Sequence, residues 1–140
     1  MAAKSNYKQV FATTKKGLNR ALNTGLQSTA HEAISRMIDR TPVDTGAAKA
    51  HWFAQGTPSG PFDKETTDKS GGRTKARAKR DLQSVRIGDR VYLVNTAPYF
   101  FFLEHGSSSQ APAGVVTITL SEMGLIYRRN LKASFGQEIK

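Results

Sequence analysis

Between Tyr7 and Ile38 apolar and small side chains return every third or fourth residue, at Tyr7, Val10, Phe11, Thr14, Leu18, Ala21, Leu22, Leu26, Ala30, Ala33, Ile34, Met37 and Ile38. That is the period of one helical face. Lys8, Lys15, Asn19, Gln27, Glu32 and Arg36 fall on the other side, so the spacing predicts one long helix lying on a core. Gly17 and Gly25 are places where such a helix could weaken or bend. Thr41-Pro42 stops it, because proline lacks the amide proton and disfavours helical geometry in the residue before it. A helix of this length leaves the other residues of a 140-residue chain room for one core, so residues 1–140 are expected to form a single domain.

Beyond the proline, Ala50 to Ala54 reads as a short strand carrying Trp52, the one tryptophan. From Gly56 to Arg80 glycine, proline, serine, threonine and charge replace apolar residues, and residues 57–80 are expected to be a long, flexible basic loop. Leu82 to Ile87 and Arg90 to Asn95 flank Gly88-Asp89, the pattern of a β-hairpin. Tyr99 to His105 predicts one or two helical turns ended by Gly106, with their aromatics facing the sheet. After a loop from Ser107 to Gly114, Val116, Leu120, Met123, Tyr127 and Leu131 stand at helical spacing, although the β-branched run Val115 to Thr119 favours a strand locally. The sum is an α+β fold: long N-terminal and C-terminal helices packed on a small antiparallel sheet, with a long basic loop.

Net charge is +10, from 21 Lys and Arg against 11 Asp and Glu. Such a field favours nucleic acid, anionic surfaces or acidic proteins. Seven Lys or Arg and two Asp lie between Arg73 and Arg90, supplying half of that charge. Arg73, Lys75, Arg77, Lys79 and Arg80 are therefore candidates for contact with DNA or an acidic partner, with a solvated charged loop as the plainer alternative. The stretch holds no aromatic residue for stacking bases. The absence of cysteine removes disulfides and thiolate metal sites and favours an intracellular origin. The N-terminus lacks the apolar core of a secretory signal, and no apolar run has membrane-helix length, so a soluble protein without membrane contact is expected.

Catalytic chemistry finds little support. His31, His51 and His105 stand in no metal-ligand spacing. Glu104, His105 and the serines Ser107 to Ser109 offer an acid, a base and hydroxyls, yet no nucleophile motif accompanies them. The glycines at 56, 60, 71 and 72 make neither a phosphate-binding nor a dinucleotide-binding loop. No catalytic residue, metal ligand or cofactor is assigned.

Two short motifs carry more information. In Thr41-Pro42-Val43-Asp44-Thr45-Gly46, proline fixes the exit from the helix, Asp44 and Thr45 can bond nearby amides, and Gly46 permits a sharp redirection. In the second, Ala97-Pro98-Tyr99 leads to Glu104-His105-Gly106-Ser107 and then Pro112, with Glu104 placed to hold an adjacent loop or a neighbouring subunit.

A long helix, a PVDTG turn, Trp52, Arg90 to Asn95, and then Tyr99, Glu104, Gly106, Ser107 and Pro112 in this order resemble the tail-completion or neck protein family of tailed bacteriophages. The resemblance spans about Asn6 to Leu131. Ala48 departs from the larger apolar residue common after the turn, and the basic stretch 63–80 is longer than usual. The resemblance implies a non-enzymatic virion protein, a tail terminator or head–tail connector subunit forming a ring with copies of itself around the DNA channel. Its partners would be adjoining connector, neck and tail proteins, with non-specific contact to genomic DNA. It would reside at the head–tail junction of the virion, and in host cytoplasm during assembly. Pro42, Val43, Asp44, Thr45, Gly46 and Gly106 would then be structural turn residues, and Trp52, Tyr99, Glu104, Ser107 and Pro112 would meet a subunit or partner. The competing reading is a basic nucleic-acid-binding module.

Overall fold

The computed structural model describes residues 2–55 and 60–139. Helix α1 runs over Ala2–Arg40, slightly past the predicted span at both ends. Its last turn is closed by Thr41, whose N–H and hydroxyl both donate to Met37 O at 3.0 and 2.6 Å. Pro42 cannot continue the ladder. A single turn, α2 (Ala47–Ala50), follows Gly46 and leads into strand β1, Trp52–Gln55. The strand therefore starts two residues later than Ala50, because Ala50 and His51 close the turn by donating to Gly46 O and Ala48 O.

Gly72–Leu82 is helix α3, which overturns the expected loop over its basic half. Residues 57–59 of that expectation lie outside the described residues. Composition misled here because the face that α3 buries is narrow and small, Thr74, Ala78 and Leu82 at a spacing of four, while its long cations cover the rest. Asp68 starts it: its carboxylate accepts from Gly71 N–H (3.1 Å), Thr74 N–H (2.9 Å) and the Thr74 hydroxyl (2.8 Å). Burial opposes the charge on Asp68, but these bonds outweigh it and hold the carboxyl below its ordinary range.

The expected hairpin is also absent. A turn does exist at Gly88 (φ 95°), where Asp89 accepts from Arg86 N–H at 2.8 Å, but its flanks do not pair. Leu82 belongs to α3, and α1 satisfies the backbone that follows: Gln27 donates to Val85 O (2.8 Å) and Asn23 accepts from Ile87 N–H (2.8 Å). Strand β2, Tyr92–Asn95, pairs instead with β1, antiparallel, Trp52 opposite Asn95 and Phe53 opposite Val94. Helix α4, Phe100–Glu104, ends before Gly106 as expected, and α5 spans Val116–Ile139. The chain is α+β, with a two-stranded antiparallel sheet and long helices at both ends.

Helix α1 carries two buried faces. Ala30, Ile34, Met37 and Ile38 join Trp52, Ala54, Ala78, Leu82, Phe100 and Val115 in the main core. On the other face α5 runs antiparallel along α1: Arg40 and Arg36 hold Glu122, Glu32 holds Asn130 and Arg129, and Gly25 lies against Leu131 and Ser134. A Cβ on Gly25 would come within 3.0 Å of Leu131, so this glycine serves close helix approach. No described helix is long and apolar enough to cross a membrane.

Candidate functional site

The two motifs meet. Val43 N–H donates to Gln110 Oε1 at 2.9 Å and Gln110 Nε2 donates to Val43 O at 3.2 Å, across a separation of 67 residues. Asn95 adds a bond from its side-chain amide to Ala48 O at 2.8 Å. Between the two segments lies an open groove of about 200 Å³, with Pro42, Val43, Ala48, Tyr99, Leu103 and Gln110 among its walls. A volume of this size accepts one large side chain, since an apolar cavity of about 150 Å³ holds benzene.

Glycine shapes each half. Gly46 has φ 92°, and a Cβ there would meet Lys69 N at 2.8 Å, where the 68–69 backbone crosses to bond Gly46 O. Gly106 has φ 82°, and a Cβ would meet Pro112 O at 2.5 Å. Both positions thus combine a left-handed backbone with contact against another segment. Thr45 accepts from Ala47 N–H at 3.2 Å. Asp44 is exposed beside Tyr99; burial first, then that charge, raise the phenol above its ordinary range, against a hydrogen bond to the Ala48 backbone.

Of the residues expected to touch a partner, Tyr99, Ser107 and Pro112 lie on the surface, Trp52 is buried, and the half-buried Glu104 holds an adjacent segment, one of the two roles expected of it. Trp52 is 1% exposed, stacked edge-on against Phe100 at 5.1 Å with its indole N–H on Thr41 Oγ1 at 2.8 Å. It is a core residue, because strand alternation turns Trp52 and Ala54 inward together. Glu104 is spent inside the chain as the cap of α5: its carboxylate accepts from Val115, Val116 and Thr117 N–H and from the Thr117 hydroxyl at 2.7–2.8 Å. Burial works against that charge, but the Val116 amide and its neighbours prevail and hold the carboxyl low. With Glu104 so engaged, and His105 bonded to Phe101 O (2.7 Å) and stacked on the Phe101 ring, no acid–base pair forms beside Ser107. Among the described residues no group of three His, Cys, Asp or Glu could hold a metal ion.

The aromatics of α4 depart from expectation. Phe100 faces the core, but Phe101 and Phe102 are 64% and 63% exposed and pack edge-on against each other, while Tyr99 and Leu103 line the groove. One helical turn cannot turn three consecutive rings to one side. Three consecutive phenylalanines were themselves the signal, since at most one could be core.

The basic residues also divide. Arg77 donates to Ala50 O (2.9 Å) and Trp52 O (2.7 Å) and lies 4.2 Å over the Phe53 ring, with burial lowering its pKa. Lys75 pairs with Asp39 at 2.6 Å, and Arg73 bonds Thr67 O. These three make ties within the fold and stand on a helix instead of the expected loop. Lys79 and Arg80 are exposed and make no ion pair among the described residues. Gln110, Asp68 and the Phe101–Phe102 pair were not singled out by sequence; besides the run of phenylalanines, only Asp68 had a local signal, an acid shortly before a helix start.

No protein-family model, curated protein or solved structure matches this chain.

Proposed function

We propose that this chain is a structural subunit of a tailed-phage virion, a neck or tail-completion protein that joins a ring with copies of itself between head and tail. The supporting observation is the convergence of its two motifs on one groove, bridged by Gln110 and Val43, with Phe101 and Phe102 exposed on the same short helix that lines it through Tyr99 and Leu103. Exposed aromatics on one helical turn are the kind of side chain that anchors a contact hot spot. A ring subunit needs such surfaces on a rigid frame.

The test is complementation with a chain carrying Phe101→Ser and Phe102→Ser, counting filled heads joined to tails. Those positions carry little of the core, so the variant folds, and the count of joined particles falls at least tenfold. A folded double variant that joins particles at the normal rate sinks the proposal. The second reading, a nucleic-acid-binding module, keeps Lys79 and Arg80 as its support. It requires duplex DNA binding that weakens steeply with salt and with Lys79→Ala and Arg80→Ala together.

A further inference from the structure

The face of α1 that packs on α5 does not stop where α5 does. Gly25, Glu32, Arg36 and Arg40 touch α5, and the same three- and four-residue steps continue backward through Ala21, Leu18, Thr14, Phe11 and Tyr7. Val10 stands at its edge. Phe135 lines one open hollow with Thr13, Thr14, Gly17 and Leu18, and the four further residues to Ile139 advance α5 by only about one turn. Past that level nothing described covers the stripe: Tyr7 is 73% exposed, Val10 57% and Phe11 62%.

This uncovered stretch is also of one sign. No Asp or Glu precedes Glu32, while Lys8, Lys15 and Lys16 are exposed on the same turns, Lys8 and Lys15 along one edge of the stripe. A second copy laid on it through α1 would oppose cations to cations. The exposed apolar positions of α5 offer no better match: Leu125 and Tyr127 sit among Arg128 and Lys132, and Glu122, the acid near Leu120, is taken up by Arg36 and Arg40. A bilayer is ill suited as well, because the stripe is narrow and has Thr14 at its middle.

We infer that the first turns of α1 dock in an apolar groove rimmed by carboxylates on a different protein, seating Tyr7 and Phe11 as anchors and Lys8 and Lys15 on the rim. Continuity of the α5-facing stripe supplies the apolar match and the absence of acids supplies the charge match. This inference stands apart from the virion reading and would hold for a docking protein of any assembly.

The test places a photoreactive benzoylphenylalanine at Phe11 of the full chain, in cells that make it with its natural neighbours, with the same group at Gln9 on the opposite face as control. The expected adduct is specific to position 11 and joins another polypeptide at a peptide bearing Asp or Glu. Its yield falls roughly tenfold with Lys8→Glu and Lys15→Glu together, and with Tyr7→Ser, while helicity and thermal midpoint are unchanged. Adducts to a second copy, lipid or nucleic acid overturn the inference, as do yields indifferent to charge reversal, or no adduct above the control. Binding of the purified chain to phosphatidylcholine–phosphatidylserine vesicles through Tyr7 and Phe11 overturns it too.

Discussion

Glu104 on the short α4 and Val116 at the start of α5 are joined by a 2.7 Å bond from amide to carboxylate, so the last turn of one helix caps the first turn of another. A carboxylate at a helix N-terminus satisfies otherwise unpaired amides and complements the helix dipole. It also fixes where the 107–114 loop, with Gln110 on it, leaves and returns.

Glu104→Ala should therefore lower stability by about 2 kcal/mol, measured by urea unfolding, because several amides lose one charged acceptor at once. Glu104→Gln keeps an acceptor oxygen and should cost about half as much. An alanine variant as stable as the parent would show that the cap is not formed in solution.

Acid should loosen the α1–α5 seam. Glu122 is held at about 2, first by Arg40, against desolvation, and then by Arg36. Glu32 is likewise at about 2, first by Arg129, then against desolvation with Asn130 and Arg36 assisting. Folded values below the unfolded ones mean that the unfolded chain binds protons first as pH falls, so the stabilisation is whole above about pH 5 and is lost on descending toward pH 2. Asp68 and Glu104, also lowered, act in the same direction. Thermal midpoints taken across that range should fall with pH, and Glu122→Gln should flatten the slope. An unchanged slope in that variant would refute the assignment.

Arg77 and its neighbour Lys79 should behave oppositely. Arg77→Ala removes the bonds to Ala50 O of α2 and Trp52 O of β1 and the contact over Phe53 and should cost about 2 kcal/mol of stability. Lys79→Ala and Arg80→Ala should leave stability within about 0.5 kcal/mol. Guanidinium unfolding of the three variants decides, and equal losses would contradict the division of α3 into inward and outward cations.

Local chemistry determined much of this chain from sequence alone. The three- and four-residue spacing before Pro42, the turn ended by Gly106, the helical spacing after Val115 and the left-handed glycines at 46 and 106 depend on neighbours within a few residues. Pairings between distant segments were decided only by the tertiary structure. Thr74, Ala78 and Leu82 became a helix because α1 and β1 offered a surface for so small a face, and the anticipated hairpin gave way because Asn23 and Gln27 of α1 took up its backbone groups. The groove follows the same rule. Each motif could be read as a turn, but that they face each other across Gln110 and Val43, that Trp52 is inside and Phe101 and Phe102 outside, and that Arg77 is spent on carbonyls of β1 and α2, depends on contacts whose partners lie tens of residues away and leave no periodic trace in the chain.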